Sequence, residues 1–227
     1  MQNILHYLYR QVLPRPFQDK IDVIRGESQV FRPCFQNTKS IFIHIPKAAG
    51  TSIARSIYGM NVGHRKATDY IAVSKTEFYK YYRFAFVRNP WDRAISAYAF
   101  VKKGGSSLVQ PIENSIYQSH FFDTFDTFVT DWLPYQNLDQ IDVVFGAQHP
   151  YIYDSNDVLL VDHVGKMEYM RESIEHLEQK LGIPIVLENL NSSNRKEAAY
   201  KDVYTAKTAS IIATIYAKDI DLFDYKF

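Results

Sequence analysis

Ile41-Phe-Ile-His-Ile-Pro-Lys-Ala-Ala-Gly-Thr-Ser52 reads as three pieces in succession. The apolar run Ser40–Ile45 predicts a buried strand that Pro46 stops. A turn of small residues then leads into a helix expected from about Ser52 to Tyr58. Ala48, Ala49 and Gly50 let an anion come close to the backbone. The free N–H groups of a helix start point at such an anion, and the macrodipole favours its charge. Lys47 adds a point charge, and Thr51 and Ser52 add hydroxyl donors. The pattern specifies a phosphate or sulfate cradle at the carboxyl end of a strand, where open α/β sheets bind ligands. An ordinary strand-to-helix turn with an exposed lysine is the plainer alternative. The ATP-type loop, G-x-x-x-x-G-K-[ST], puts its lysine after the glycines. Here Lys47 precedes Gly50, and no other stretch supplies that pattern.

Phe84-Ala-Phe-Val-Arg-Asn-Pro-Trp-Asp-Arg-Ala-Ile-Ser96 repeats the scheme. Arg83–Val87 reads as a second buried strand ended by Asn89-Pro90, Asp92 as a helix N-cap, and Ala94–Lys102 as the helix. Arg88 leaves the strand, and Ser96 follows about one turn past Asp92. An arginine fork and a hydroxyl can bracket one phosphate. Arg88 paired with Asp92, and Ser96 on a helix surface, are the structural alternatives. Two anion sites on two strands fit a nucleotide with phosphates at both ends.

Outward from these motifs, Ser74–Tyr82 opens with the capping-box pattern Ser74-x-x-Glu77 and reads as a helix. Phe121, Phe125, Phe128 and Trp132 recur at helical spacing, Val158–Val164 is a strand candidate, and Met167–Leu181 is an amphipathic helix closed by Gly182. A last helix is expected over Thr205–Ala217. Apolar strands alternating with helices indicate an α/β fold with a mostly parallel sheet and helices on both faces. Residues 1–35 read as a leader packed on the core, and 36–227 as a single domain.

The 227 residues carry 26 Lys+Arg against 25 Asp+Glu, a formal net charge of +1. That balance argues against nucleic-acid binding through bulk charge. Cys34 is the only cysteine, which excludes an internal disulfide framework and a cysteine zinc site and fits a reducing compartment. No apolar window is long enough for a transmembrane helix, and the N-terminus lacks the pattern of a signal peptide. A soluble, cytoplasmic protein is therefore expected, with peripheral contact with a membrane left open. No metal cluster is visible in the sequence.

His44-Ile-Pro-Lys-Ala-Ala-Gly-Thr-Ser52 resembles the 5′-phosphosulfate loop of the PAPS-dependent carbohydrate sulfotransferases, the Golgi-type and bacterial polysaccharide group. Val87-Arg-Asn-Pro-Trp-Asp-Arg-x-x-Ser96 resembles their 3′-phosphate motif. Gly63-His64, Val161–Glu168, Leu190-Asn191-x-Ser193-x-Arg195 and the run from Asp219 through Leu222 and Phe223 to Tyr225 resemble later blocks in the same order. The resemblance spans roughly Ile41 to Phe227. It implies a P-loop-NTPase-like three-layer fold with a central sheet. It also implies transfer of a sulfuryl group from 3′-phosphoadenosine 5′-phosphosulfate (PAPS) to a carbohydrate or glycolipid hydroxyl, leaving the bisphosphate PAP and requiring no metal. Many members carry Thr or Ser after the lysine, where this chain has Ala48.

Transfer of this kind rests on positioning and charge stabilisation. Lys47 is the expected stabiliser of the leaving phosphate. Lys47, Ala48, Ala49, Gly50, Thr51 and Ser52 are the expected donor loop, with Arg88 and Ser96 on the 3′-phosphate. His64, in a loop beside Arg65 and Lys66, resembles the family's general base, with a structural histidine as the alternative. His44 reads as a packed or supporting histidine. Ser193, Arg195 and Lys196 resemble a loop folding over the nucleotide, with a solvated loop nearly as good a reading. Glu168 reads as the start of a helix, favoured there by the macrodipole. A nucleotide-dependent kinase-like enzyme, or a glycan- or nucleotide-binding protein without catalysis, are the competing readings.

Overall fold

The computed structural model describes residues 17–18, 21, 30–105, 115–138, 140–187 and 200–227. The bulk of the expected leader lies outside them. Its last residues are described, and there Val30, Phe31 and Phe35 are buried in the core.

Three strands form one sheet in the order β1 (Ser40–Ile43), β2 (Tyr82–Val87), β3 (His163–Lys166), with both pairings parallel. Every residue of β1 is buried, as is β2 from Phe84 onward, which is why both read as unbroken apolar runs. Helix α1 (Pro33–Thr38) packs on β1 and on α2 (Gly50–Tyr58). The crossover to β2 adds α3 (Ala67–Lys80), and β2 runs into α4 (Pro90–Lys102). After β3 come α5 (Met170–Leu181), which packs on that strand, then α6 (Ala206–Ile215) and α7 (Ala217–Leu222). The α/β class and the parallel sheet flanked by helices agree with the sequence reading.

Several boundaries differ from expectation. The cap of α4 is Asn89, whose side chain accepts the Trp91 N–H at 3.0 Å. Asp92 instead sits in the first turn. Pro90 explains the shift, because proline suits the first helical position and the residue before it takes an extended backbone. The capping signal at Ser74 does start a helix, the second of two that run together across a kink as α3, and the sequence reading missed only the first of them. There φ is −157° and ψ 106°, Ser74 Oγ accepts the Glu77 N–H at 3.3 Å, and α3 begins seven residues earlier. The third strand starts five residues later than expected, at His163, after Asp162 has bonded the Arg83 backbone through both its N–H and its side chain. Phe121 sits on a separate 3-10 turn, 120–122, while Phe125, Phe128 and Trp132 lie on one continuous helical run, 125–135, that passes through α, π and 3-10 turns. The rings of this region cluster with Tyr117 and Phe145: Trp132 lies 5.0 Å from Phe122 and 5.3 Å from Phe145. The last helix breaks at Tyr216, whose hydroxyl donates to the Phe145 carbonyl at 2.6 Å.

One buried charge ties this together. Arg93 is only 2% exposed and donates to the carbonyls of Pro46 (3.0 Å), Val144 (3.3 Å) and Gly146 (2.7 Å). Its Nε and Nη2 thereby fasten α4 to the turn after β1 and to a segment fifty residues downstream. Replacing it by leucine strands three carbonyls, each costing on the order of 1–3 kcal/mol when buried without a donor. Arg93→Leu is expected to lower unfolding free energy by about 2–5 kcal/mol in urea titrations. A loss below about 0.5 kcal/mol, the usual size of a surface substitution, would contradict this role.

Candidate active site

The parallel register puts Ile43 beside Ala85, so β1 and β2 end side by side and Lys47 and Arg88 leave adjacent strand tips. Arg88 Nη1 donates to the Lys47 carbonyl at 3.3 Å, and its Nε pairs with Asp92 Oδ2 at 2.7 Å. The structural alternative for Arg88 is therefore present, and it uses only part of the guanidinium. Gln148 grips the Arg88 backbone from both sides, accepting its N–H at 3.0 Å and donating to its carbonyl at 2.9 Å. Asp219, fully buried, holds the Gln148 and His149 N–H groups at 2.7 and 2.8 Å and the His149 ring at 2.7 Å.

The turn after β1 is shaped by backbone that non-glycine residues adopt at a cost. Lys47 has φ 68° and Ala49 φ 57°. Such conformations cost on the order of 1–3 kcal/mol each and persist where the surroundings over-determine them. Gly50 serves a different need, room. A Cβ there would lie 1.9 Å from His44 Cδ2. Helix α2 has no side-chain cap, and its first bonds run from Ser52 and Ile53 to the Ala49 carbonyl at 3.1 and 3.3 Å. The amides of Gly50 and Thr51 precede those bonds and have no intrahelical acceptor. Thr51 is half-buried and Ser52 exposed.

Lys47 is half-buried, its Nζ 3.9 Å from the centre of the Phe100 ring. It has no ion pair among the described residues. Burial, with the Arg88 and Arg93 charges, lowers its pKa to about 8.

His64 lies against His44 with ring centres 4.1 Å apart, and its Nδ1 bonds the His44 carbonyl at 3.0 Å. A carbonyl only accepts, so Nδ1 carries the proton and the neutral ring keeps its lone pair on Nε2. His64 as a whole is exposed, but desolvation of the packed face lowers its pKa. The carbonyl bond opposes that shift, and the Lys47 charge adds to it.

Ser96 is half-buried on α4, seven residues past the Asn89 cap, and makes no hydrogen bond among the described residues. Ser193, Arg195 and Lys196 lie outside the described residues. Glu168 does more than start a helix. Its carboxylate accepts the Asn89 N–H at 2.6 Å and the Tyr225 hydroxyl at 2.9 Å, clamping the second turn to the chain's end. Sequence reasoning missed Arg93, Phe100, Gln148 and His149 as parts of this region. For Arg93 a signal existed, because it lies on the same face as Pro90, Ala94, Ala97 and Val101, all buried.

Residues 35–226 match the family described as the sulfotransferase family. The chain belongs to that family. No curated protein and no solved structure matches it. As a sulfotransferase it transfers a sulfuryl group, and the family implies a sulfate donor such as PAPS. The uncapped start of α2 and Lys47, which has no ion pair among the described residues, suit an anionic donor. No helix among the described residues is long and apolar enough to cross a membrane.

The histidine pair makes the site sensitive to acid. His44 is 3% exposed, and burial and the neighbouring His64 lower its pKa to about 3, partly offset by the Asn61 side chain, which favours the protonated ring. The unfolded chain, with its histidine near 6.5, takes up the proton first. Stability is therefore complete above about pH 6.5 and falls as pH drops toward 3, by up to about 1.4 kcal/mol per pH unit. Urea titrations at pH 7.5 and 5.5 are expected to differ clearly for the wild type and much less for His44→Asn. An equal loss in both proteins would remove His44 from the explanation.

Proposed function

We propose that residues 36–227 act as one domain that moves a sulfuryl group from PAPS to a hydroxyl of a carbohydrate or glycolipid acceptor. The observation that carries the reading is the pairing of two cationic strand exits with a histidine whose Nε2 is free to accept a proton. PAPS supplies the activated sulfuryl group and a phosphate that departs with added negative charge. Lys47 puts positive charge beside that phosphate, and the amides at the start of α2, with Thr51 and Ser52, hold its oxygens. The guanidinium face of Arg88 not used by Asp92 and the Lys47 carbonyl, with Ser96, holds the 3′-phosphate. His64 Nε2 removes the acceptor hydroxyl proton, while the His44 carbonyl keeps the ring in the required tautomer. Ala48 supplies no hydroxyl, so its share of the contact falls to its backbone amide.

Incubation with radiolabelled PAPS and a panel of desulfated polysaccharides and lipid-linked sugars tests the reading directly. Label should enter a glycan in a His64-dependent manner. Failure to label any acceptor while PAP binds would favour a binding protein without catalysis.

For the free enzyme, kcat/KM should rise as His64 loses its proton, with a limb below 6.5, and fall as Lys47 loses its charge near pH 8. His64→Ala should fold, bind PAP normally, lose turnover by roughly 10²–10⁴-fold and lose the acid limb. Near-normal turnover would place the base elsewhere.

The nucleotide assignment is separable. Arg88→Ala should weaken PAP by roughly ten- to a hundredfold, the worth of a charge-assisted bond, and adenosine 5′-phosphate far less. Equal weakening of both ligands would remove Arg88 from the 3′-phosphate.

A further inference from the structure

A cavity of about 700 Å³ opens between the segments 116–121, 131–136 and 140–142, apart from the residues assigned above. That volume is in the range of small-ligand sites. The buried Trp132 and Tyr117 and the half-buried Phe121 line its wall, and Tyr135 stands beside them 79% exposed. An aromatic side chain so exposed does nothing for the core. Among the described residues the polar lining is Asp131, Asp142, Gln136 and Gln140, with no Lys, Arg or His. Two of these groups are already engaged: Asp142 accepts the Tyr117 hydroxyl, and Gln136 Nε2 donates to the Trp132 carbonyl at 3.0 Å. Asp131 and Gln140 are exposed, and their side chains make no hydrogen bond among the described residues.

The open Tyr135 ring beside carboxylate and amide groups matches a sugar ring, which offers C–H faces to stack and hydroxyls to donate and accept. The charge decides the class of sugar. A uronate or sulfated residue would bring its anion against two carboxylates with no cation to pair it, an arrangement that repels.

The cavity is also keyed to the transfer site. Phe145 packs on Tyr117 and Trp132, with ring centres 6.1 and 5.3 Å away. The carbonyls on either side of Phe145, those of Val144 and Gly146, are held by the same Arg93 that holds Pro46. We propose that this cavity binds an uncharged sugar residue of the acceptor, so that the enzyme's substrate is a neutral glycan rather than a polyanionic one. The inference rests on the carbohydrate-acceptor reading above and narrows it.

The test is a donor-free binding experiment, so it does not depend on turnover. Saturation-transfer NMR would compare neutral chitotetraose, cellotetraose and laminaritetraose with anionic tetragalacturonate. At least one neutral probe should bind, and tetragalacturonate should not. Tyr135→Ala and Gln140→Ala, both at exposed positions, should each weaken the neutral probe by roughly three- to tenfold. Both variants should leave PAP affinity unchanged. Equal or better binding of tetragalacturonate, no binding of any probe, or unchanged affinity in both variants would overturn the proposal. Loss of PAP binding in the wild type would count against the sulfotransfer mechanism, a separate result.

Discussion

The buried guanidinium of Arg93 is the contact on which the rest of the site depends. It reaches from α4 to the Pro46 carbonyl at the tip of β1 and to two carbonyls flanking Phe145. A buried charge is tolerated only when its donors are used, and here Nε and Nη2 go to backbone acceptors. The consequence is geometric: the turn carrying Lys47, the helix that follows Arg88 and the wall of the aromatic cavity cannot move independently. Gln148 and Asp219 extend the same logic to the backbone of Arg88, and Glu168 to that of Asn89.

Around that frame the electrostatics are left unbalanced. Lys47 faces an aromatic ring rather than a carboxylate, and the Arg88 and Arg93 charges lower its pKa along with burial. Helix α2 starts without a side-chain cap, as α1, α5 and α7 do, whereas α4 and α6 are capped by Asn89 and Thr205. Left-handed backbone at Lys47 and Ala49 adds strain at the same turn. A chain selected for stability alone would relieve all three. An anion bound at the turn offsets each of them, because it accepts the free amides and neutralises the lysine.

Much of this was legible in the chain itself. The strands β1 and β2 stand out because a parallel strand buried on both faces is an unbroken apolar run, and the two turns that follow them carry the charged residues. The edge strand β3 was placed early because its polar sequence, His163 to Lys166, lacks that run. What the sequence hid was long-range. Gln148 and Asp219 lie 60 and 131 residues from Arg88, and no local spacing signals such partners. Gly50 reads as a small residue that lets an anion near the backbone, yet the side where its side chain would be is filled by the His44 ring. The tautomer of His64 depends on a main-chain carbonyl twenty residues away, which no motif encodes. The helical spacing holds for Phe125, Phe128 and Trp132, and fails for Phe121, which a break at 123–124 puts on a separate turn.

The central claim is that two neighbouring anion sites, at the ends of β1 and β2, recognise one nucleotide phosphorylated at both its 3′ and 5′ positions. Isothermal titration of the wild-type chain with PAP, adenosine 5′-phosphate and ATP measures this with no acceptor present. The account predicts that PAP binds at least about tenfold more tightly than either of the others, the worth of one additional charge-assisted contact. ATP binding as tightly as PAP, or PAP no better than adenosine 5′-phosphate, would contradict it.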